Sequence, residues 1–239
     1  MNNKLDLSIG ILSWGSPLTL ENTLFSYKFA GLLDMAKDVN VFLQEWKPEE
    51  RQICDKYGVD CILSDVNIGI GGAILELTRM ASSENVLFLE NDWAINADET
   101  TTRSELEKGL LLLNKGINIV KYRHRKYPGD PLYTRQYAGR EQDSWKHLLD
   151  CVHWRAHPDE AFPDKISQDA ETGYYVTTSE YANFTNNPIM YNKDFYLDAV
   201  TPFIGGGIDL EGKIQEWWEN QSFLIAHGGG LFTHKRIDR

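Results

Sequence analysis

The stretch Asn85-Val86-Leu87-Phe88-Leu89-Glu90-Asn91-Asp92-Trp93 decides the fold. Its apolar run, Val86 to Leu89, reads as a short buried strand. The run ends in two carboxylates one residue apart. A buried strand does not normally finish with acids unless they face water or a cation. Oxygen ligands suit Mg²⁺ and Mn²⁺, which take one or two protein carboxylates and keep positions for water and substrate phosphates. A solvated strand end with an acidic turn is the plainer alternative for the same residues.

Working toward the N-terminus, three further strands precede this one. Leu7 to Ser13 is an apolar run that breaks at Trp14-Gly15-Ser16-Pro17, and Ser16-Pro17 starts a helix. Leu20, Leu24, Tyr27 and Gly31 keep one face of that helix apolar or small. Val39 to Gln44 is the second strand, Arg51 to Tyr57 a helix, and Cys61-Ile62-Leu63 a third strand. Ile74, Leu77 and Met80 or Ala81 mark the helix before Asn85. Strand and helix in alternation with short connections imply a mostly parallel sheet covered on both faces. Ligands of such sheets sit beyond the carboxyl ends of the strands, so the loops after Leu12, Leu43, Leu63 and Leu89 should share one rim.

Between the third strand and its helix lies Asn67-Ile68-Gly69-Ile70-Gly71-Gly72-Ala73. Glycines there let backbone approach a ligand, and a helix N-terminus favours negative charge. No Gly-Lys-Ser/Thr follows, so this is not a Walker loop. It comes after the third strand, so it is not a dinucleotide fingerprint. A tight helix–strand packing turn is the structural alternative.

Composition bounds the rest. The chain has 239 residues, 42% hydrophobic and 25% charged, with a formal net charge of −11. That is enough for one large α/β domain or two small ones. The acidic balance argues against a nucleic-acid partner, but not against a nucleotide substrate, since a divalent cation supplies positive charge locally. Cys54, Cys61 and Cys151 have no zinc-type spacing and read as free or buried thiols of a reducing compartment. No long apolar stretch precedes the first strand, so the expectation is a cytoplasmic protein without a membrane span. The sequons at Asn183 and Asn220 are then chance matches.

The ordered set of motifs from Leu7 to Trp93 resembles the nucleotide-binding half of the GT-A glycosyltransferases, especially the large inverting family two. Ser13-Trp14-Gly15 stands where that family has a Thr-Tyr-Asn-like turn. Gln44-Glu45 stands where its second strand ends in acids, but the usual Asp-Asp-Gly-Ser ending is missing. Asn67 to Ala73 fits its N-x-G-x-x-x-A segment, and Glu90-Asn91-Asp92 its D-x-D, with Glu for the first Asp.

The resemblance implies one GT-A domain over 1–239, with a nucleotide-sugar half at 1–98 and an acceptor and catalytic half at 99–239. It implies a metal-assisted transfer of a sugar, with inversion, from a UDP-, GDP- or dTDP-linked donor to a hydroxyl of a glycan or other acceptor. Implied donor contacts are Leu12, Ser13, Trp14, Glu45, Asp65, Asn67, Gly71, Gly72, Glu90, Asn91, Lys235 and Arg236. Asp92, Glu90 and His234 are the implied ligands of Mn²⁺ or Mg²⁺, with Asp92 direct and Glu90 either touching ribose or reaching the metal through water. Asp209, after Gly205-Gly206-Gly207, is the implied base and Glu211 its competitor, against the plain alternative of helix capping.

The second half is less regular. Leu106 to Leu113 reads as a helix, Asn118 to Tyr122, Tyr174 to Thr178 and Pro188 to Tyr191 as strands, and Asp209 to Asn220 as a helix with Trp217-Trp218 toward the core. Residues 122–157 hold His124, Trp145, His147, His153, Trp154 and His157, an acceptor surface or an aromatic packing cluster. Gly228 to Arg236 reads as a flexible basic loop able to close over a donor. Two rival functions stay open. A nucleotidyltransferase would open with a G-x-G-x-R loop, whereas Ser13 to Pro17 has one glycine and no arginine. A non-catalytic binding domain of the same fold would tolerate loss of Asp209.

Overall fold

A computed structural model describes residues 4–130, 145–204 and 210–238. Strands β1 (Ser8–Trp14), β2 (Asp38–Gln44), β3 (Asp60–Ser64) and β4 (Asn85–Glu90) are parallel, in the spatial order β3-β2-β1-β4. Trp14 is in register with Gln44, Gln44 with Ser64, and Leu12 with Glu90. The carboxyl ends of all four strands therefore meet on one rim, as the alternating pattern requires.

Helices α1 (Pro17–Phe29), α2 (Leu32–Met35), α3 (Pro48–Tyr57) and α4 (Gly69–Met80) connect these strands, and α5 (Glu99–Asn114) follows. Side chains alternate across the sheet. Ile9, Ile11, Val41, Leu43, Leu87 and Leu89 pack with α1, α3 and α5 on one face. Leu12, Phe42, Val86 and Phe88 pack with α4 and the later α8 (Leu210–Glu219) on the other. Both faces are covered, which is why these strands read as continuous apolar runs. Gly10 brings α4 close to the sheet: a Cβ there would stand 3.0 Å from Leu77 Cβ.

In the second half the sheet turns mixed. After the short β5 (Trp93–Ile95) come β6 (Ile119–Arg123), β7 (Ser167–Gln168), β8 (Tyr175–Thr178), β9 (Ile189–Asn192) and β10 (Leu224–His234). The whole ten-stranded sheet runs β3-β2-β1-β4-β9-β6-β10-β8-β7, with β5 paired to β10. Strand β9 lies antiparallel between β4 and β6 and joins the two halves without a break. The connections also hold two short helices, α6 (Pro158–Ala161) and α7 (Lys193–Phe195), 3-10 helices over Trp145–His153 and Thr201–Phe203, and a π-helical turn over Tyr196–Val200. Trp218 and the segment Leu148–Val152 are buried, so both belong to the packing on the α8 side.

The flexible basic loop expected at Gly228–Arg236 is not what forms. Residues up to His234 belong to β10, which pairs with β6, β8 and β5, and Leu231 and Phe232 are fully buried. The glycines serve close approach rather than mobility. A Cβ on Gly228 would overlap the Tyr174 ring, and one on Gly230 (φ +70) would overlap the Arg123 carbonyl. A register shift between His227 and Phe232 marks a bulge at the same place. All three cysteines are free thiols. Among the described residues no helix is long and apolar enough to cross a membrane.

Candidate functional site

The rim of the parallel strands opens into a cavity of about 220 Å³ lined by Leu12, Trp14, Ser16, Gln44, Asn67, Gly69, Ile70, Glu90, Asn91 and Arg236. Loops after β1, β2, β3 and β4 contribute one wall each. Asn67 shapes the third: its Oδ1 accepts the Gly69 N–H at 2.8 Å, and Gly69 takes φ +77. Gln44, at the buried end of β2, accepts the Ile68 N–H at 2.8 Å and ties the second wall to the third.

Asn91 is held from beneath. Its Nδ2 donates to Ser13 Oγ at 3.0 Å, and Ser13 Oγ donates to Glu50 Oε1 at 3.2 Å. Burial pushes the Glu50 carboxyl up, while the Lys47 amide and Ser13 pull it down less strongly. The Asn91 carbonyl accepts the Thr23 hydroxyl at 2.6 Å, and its amide donates to the Leu12 carbonyl at 2.8 Å. The turn after β4 is thus tied to β1, α1 and α3 before any ligand arrives.

Asp92 is the convergence point. His234 Nε2 lies 3.2 Å from Asp92 Oδ2, and the Arg236 guanidinium meets the same oxygen, its Nε at 3.1 Å. Burial alone would raise the Asp92 carboxyl, but His234 and Arg236 outweigh it and hold it below the usual carboxylate range. Glu90 is the opposite case. Burial first, then the charges of Asp92 and Glu211, push it up to about 8 against the pull of Arg236. Glu90, Asp92 and Glu211 are thus near enough for their charges to be felt at Glu90.

Asp92 and His234 are the side chains here that could hold a divalent cation. His234 Nδ1 donates to the Asp130 carbonyl, which aims Nε2 at Asp92. A second hydrogen bond of that sort is what orients a metal-ligating imidazole. The Trp93 ring supports His234 at 5.1 Å and carries the Arg123 guanidinium 5.1 Å from its centre. Among the described residues no group of three or more metal-binding side chains is close enough to enclose an ion.

The other expected residues divide. Leu12, Trp14, Asn67, Glu90, Asn91 and Arg236 share the cavity lining, while Ser13 sits behind it. Glu45, with φ +47, accepts Trp14 Nε1 at 2.6 Å, and Asp65 accepts Trp46 Nε1 at 3.0 Å; both stand outside the lining. Gly71 and Gly72 lie inside α4 and are also outside it. Lys235 lines a separate groove with Phe25, Phe29 and Tyr127. Glu211 Oε1 accepts Thr185 Oγ1 at 2.8 Å and the Asn186 N–H at 2.5 Å, and its charge is felt at Glu90 and Lys121. Asp209 lies outside the described residues, as do Gly205 to Ile208. Of the histidines, His153 and His227 form a ring pair 5.1 Å apart, and His147 lies 3.5 Å from Asp150. They form no zinc site among the described residues.

Ser16, Gln44, Gly69 and Ile70 line the cavity without being among the implied donor contacts, although Gln44, Gly69 and Ile70 lie within the Gln44-Glu45 and Asn67 to Ala73 motifs. Glu50 and Asp238 stand behind the lining. Ser16, Glu50 and Asp238 have no signal beyond their neighbours in space.

No protein-family model matches the sequence, and no curated protein matches it. Solved structures do. S. aureus TarS 1–349 in complex with UDP-GlcNAc superposes with a TM-score of 0.61 at 12% identity, over 98% of this chain and 60% of that one. The chain has the GT-A fold. Glucosyl-3-phosphoglycerate synthase from Mycobacterium tuberculosis, in complex with Mn²⁺, UDP and glucosyl-3-phosphoglycerate, gives 0.55 at 15% identity, over 97% of this chain and 72% of that one. A longer TarS structure gives 0.59 at 13% identity, and this chain spans 37% of its length.

Proposed function

We propose that this chain is a glycosyltransferase that moves a sugar from a nucleotide-diphosphate donor to an acceptor hydroxyl, with inversion and with a divalent cation. The observation that carries the reading is the convergence of His234 and Arg236 on one oxygen of the buried Asp92, with Arg236 and Glu90 also lining the cavity at the ends of β1 to β4. Cation and diphosphate would meet there. Asp92 and His234 would hold the Mn²⁺ or Mg²⁺, whose chemistry is to neutralise the leaving diphosphate as a Lewis acid.

The protein's own groups do the remainder. The Asn67–Gly69 turn and the walls at Trp14 and Gln44 receive the nucleoside, and Arg236 offers its guanidinium to the diphosphate. The acceptor oxygen forms its bond to the anomeric carbon as the bond from that carbon to the diphosphate oxygen breaks. The nucleoside diphosphate leaves with the electron pair, and the acceptor proton passes to a carboxylate base. Asp209 is that base. Glu211 supports the site from the Thr185–Asn186 turn, because its Oε1 is already filled by two donors. UDP-linked donors come first in any screen, since both kinds of similar structure were solved with uridine nucleotides.

The test is a donor screen on purified protein with Mn²⁺ or Mg²⁺, following release of nucleoside diphosphate from UDP-, GDP- and dTDP-sugars. Cation-dependent hydrolysis of one donor, lost in Asp92→Ala, supports transfer. Pyrophosphate release from a nucleoside triphosphate and a sugar 1-phosphate would instead make the chain a nucleotidyltransferase. Donor binding without turnover, unchanged in Asp209→Asn, would make it a binding domain.

A further inference from the structure

Helix α1 lacks a cap of its own. Its N-cap residue, Ser16, makes no side-chain capping bond, and its first turn holds no acid. The orphan amides of such an end need a partner. They find one in Asp238, which is 220 residues away in sequence. Its Oδ2 accepts the Leu18 N–H at 2.8 Å, and its Oδ1 accepts the Thr19 N–H at 2.9 Å and the Thr19 hydroxyl. Thr19 Oγ1 in turn accepts the Ile237 N–H at 3.0 Å. At the other end of the same short segment, Lys235 N–H donates to the Asp92 carbonyl at 2.7 Å, and Arg236 meets Asp92 Oδ2.

The segment 235–238 thus runs from Asp92 to the start of α1 and is bonded at both ends. It borders the donor cavity, whose lining includes Trp14 and Ser16 just ahead of α1 and Arg236 from the segment itself. We infer that Asp238 is a positioning residue: by capping α1 from outside, it fixes the segment so that Arg236 stands at Asp92 facing the donor diphosphate. The inference rests on the donor-site reading above. Its physical content is preorganisation. With the segment fixed, the donor need not order four backbone units to meet one guanidinium.

The experiment pairs amide hydrogen exchange with calorimetric titration of UDP, GDP and dTDP in the presence of Mn²⁺. Asp238→Ala should speed exchange at Leu18, Thr19 and Ile237 about fivefold, the worth of one N-cap, and weaken the nucleotide that binds by a similar factor. Exchange in β4 should not change. Asp238→Asn keeps a capping oxygen and should recover most of both effects. Thr19→Val, which removes the hydroxyl that meets both Ile237 and Asp238 but leaves the Leu18 and Thr19 amides to the Asp238 carboxylate, should loosen the segment from the helix side. Unchanged exchange at Ile237 in both Asp238→Ala and Thr19→Val overturns the inference, and so does faster exchange with unchanged affinity. Failure of the parent protein to bind any of the three nucleotides would sink the donor reading and the positioning role with it. The exchange data would still report whether Asp238 holds the segment.

Discussion

His227 gives the most direct handle on the energetics of the second half. It lies on β10, 1% exposed, with Nε2 at 2.9 Å from the Arg123 carbonyl. Nε2 must carry the proton to make that bond, which leaves Nδ1 as a bare nitrogen, buried and without a hydrogen-bond partner among the described residues. Burial, with a smaller push from His153, depresses this imidazole from 6.5 to about 3. The unfolded chain takes a proton near the ordinary value and the folded chain does not. The contribution of His227 is therefore whole above pH 6.5 and shrinks as pH falls toward 3. At pH 5 the linkage relation puts the loss from this one group at about 2 kcal/mol. Glu90, raised to about 8, contributes a slope of the opposite sign in parent and variant alike, so the parent's own change between pH 7 and pH 5 does not isolate His227. Urea unfolding at pH 7 and pH 5 is therefore compared between parent and variant. In His227→Gln the side-chain amide can still donate to Arg123 but cannot titrate, so the loss between the two pH values should be about 2 kcal/mol smaller than in the parent. The difference between the two pH values is the diagnostic, not the starting stability. His153, also depressed by burial first, leaves a residual slope. Equal slopes in parent and variant would refute the reasoning.

Three further outcomes follow from the same geometry. Gly228→Ala drives a methyl into the Tyr174 ring, which Glu105 fixes through a 2.7 Å hydrogen bond, so overpacking should cost about 2–3 kcal/mol and lower Tm by roughly 5–10 °C. Ser13→Ala cuts the link from Asn91 to Glu50 and strands two buried groups; a stability loss of about 1–3 kcal/mol should come with a higher donor KM. Glu211→Gln keeps the oxygen that meets Thr185 and Asn186, so turnover should fall no more than about tenfold, whereas Asp209→Asn should remove a factor of roughly 10²–10⁴. The reverse order would move the base to Glu211.

The parallel half was legible because its signals are local. Val86 to Leu89 is buried on both faces, so it reads as an unbroken apolar run, and Glu90-Asn91-Asp92 follows where the strand meets the rim. Asn67 and its glycines show their turn in the sequence for the same reason. Strand β10 was not legible. Its Gly228-Gly229-Gly230 run carries the local signature of a loop, and what makes it a strand is the Tyr174 ring and the Arg123 backbone, both remote in sequence. The pairing of β9 between β4 and β6 likewise rests on contacts across about a hundred positions to β4 and about seventy to β6, which periodicity cannot report. In the site, Asp92 is visible as an acid at a strand end and His234 only through the GT-A resemblance, and the structure brings the two side chains together. Asp238 and Glu50 act through neighbours that the sequence does not place beside them. Glu45 and Asp65 have the right residue type, yet each is engaged by an indole N–H rather than facing the cavity.

The central claim is that Asp92, His234 and Arg236 form a cation and diphosphate site on a GT-A sheet. Isothermal titration of UDP, with and without Mn²⁺, into the parent protein and into Asp92→Asn tests it most directly. The account predicts binding that strengthens at least tenfold with Mn²⁺ in the parent and loses that dependence in the variant. Binding equal in the two proteins, or unaffected by the cation in the parent, would contradict it.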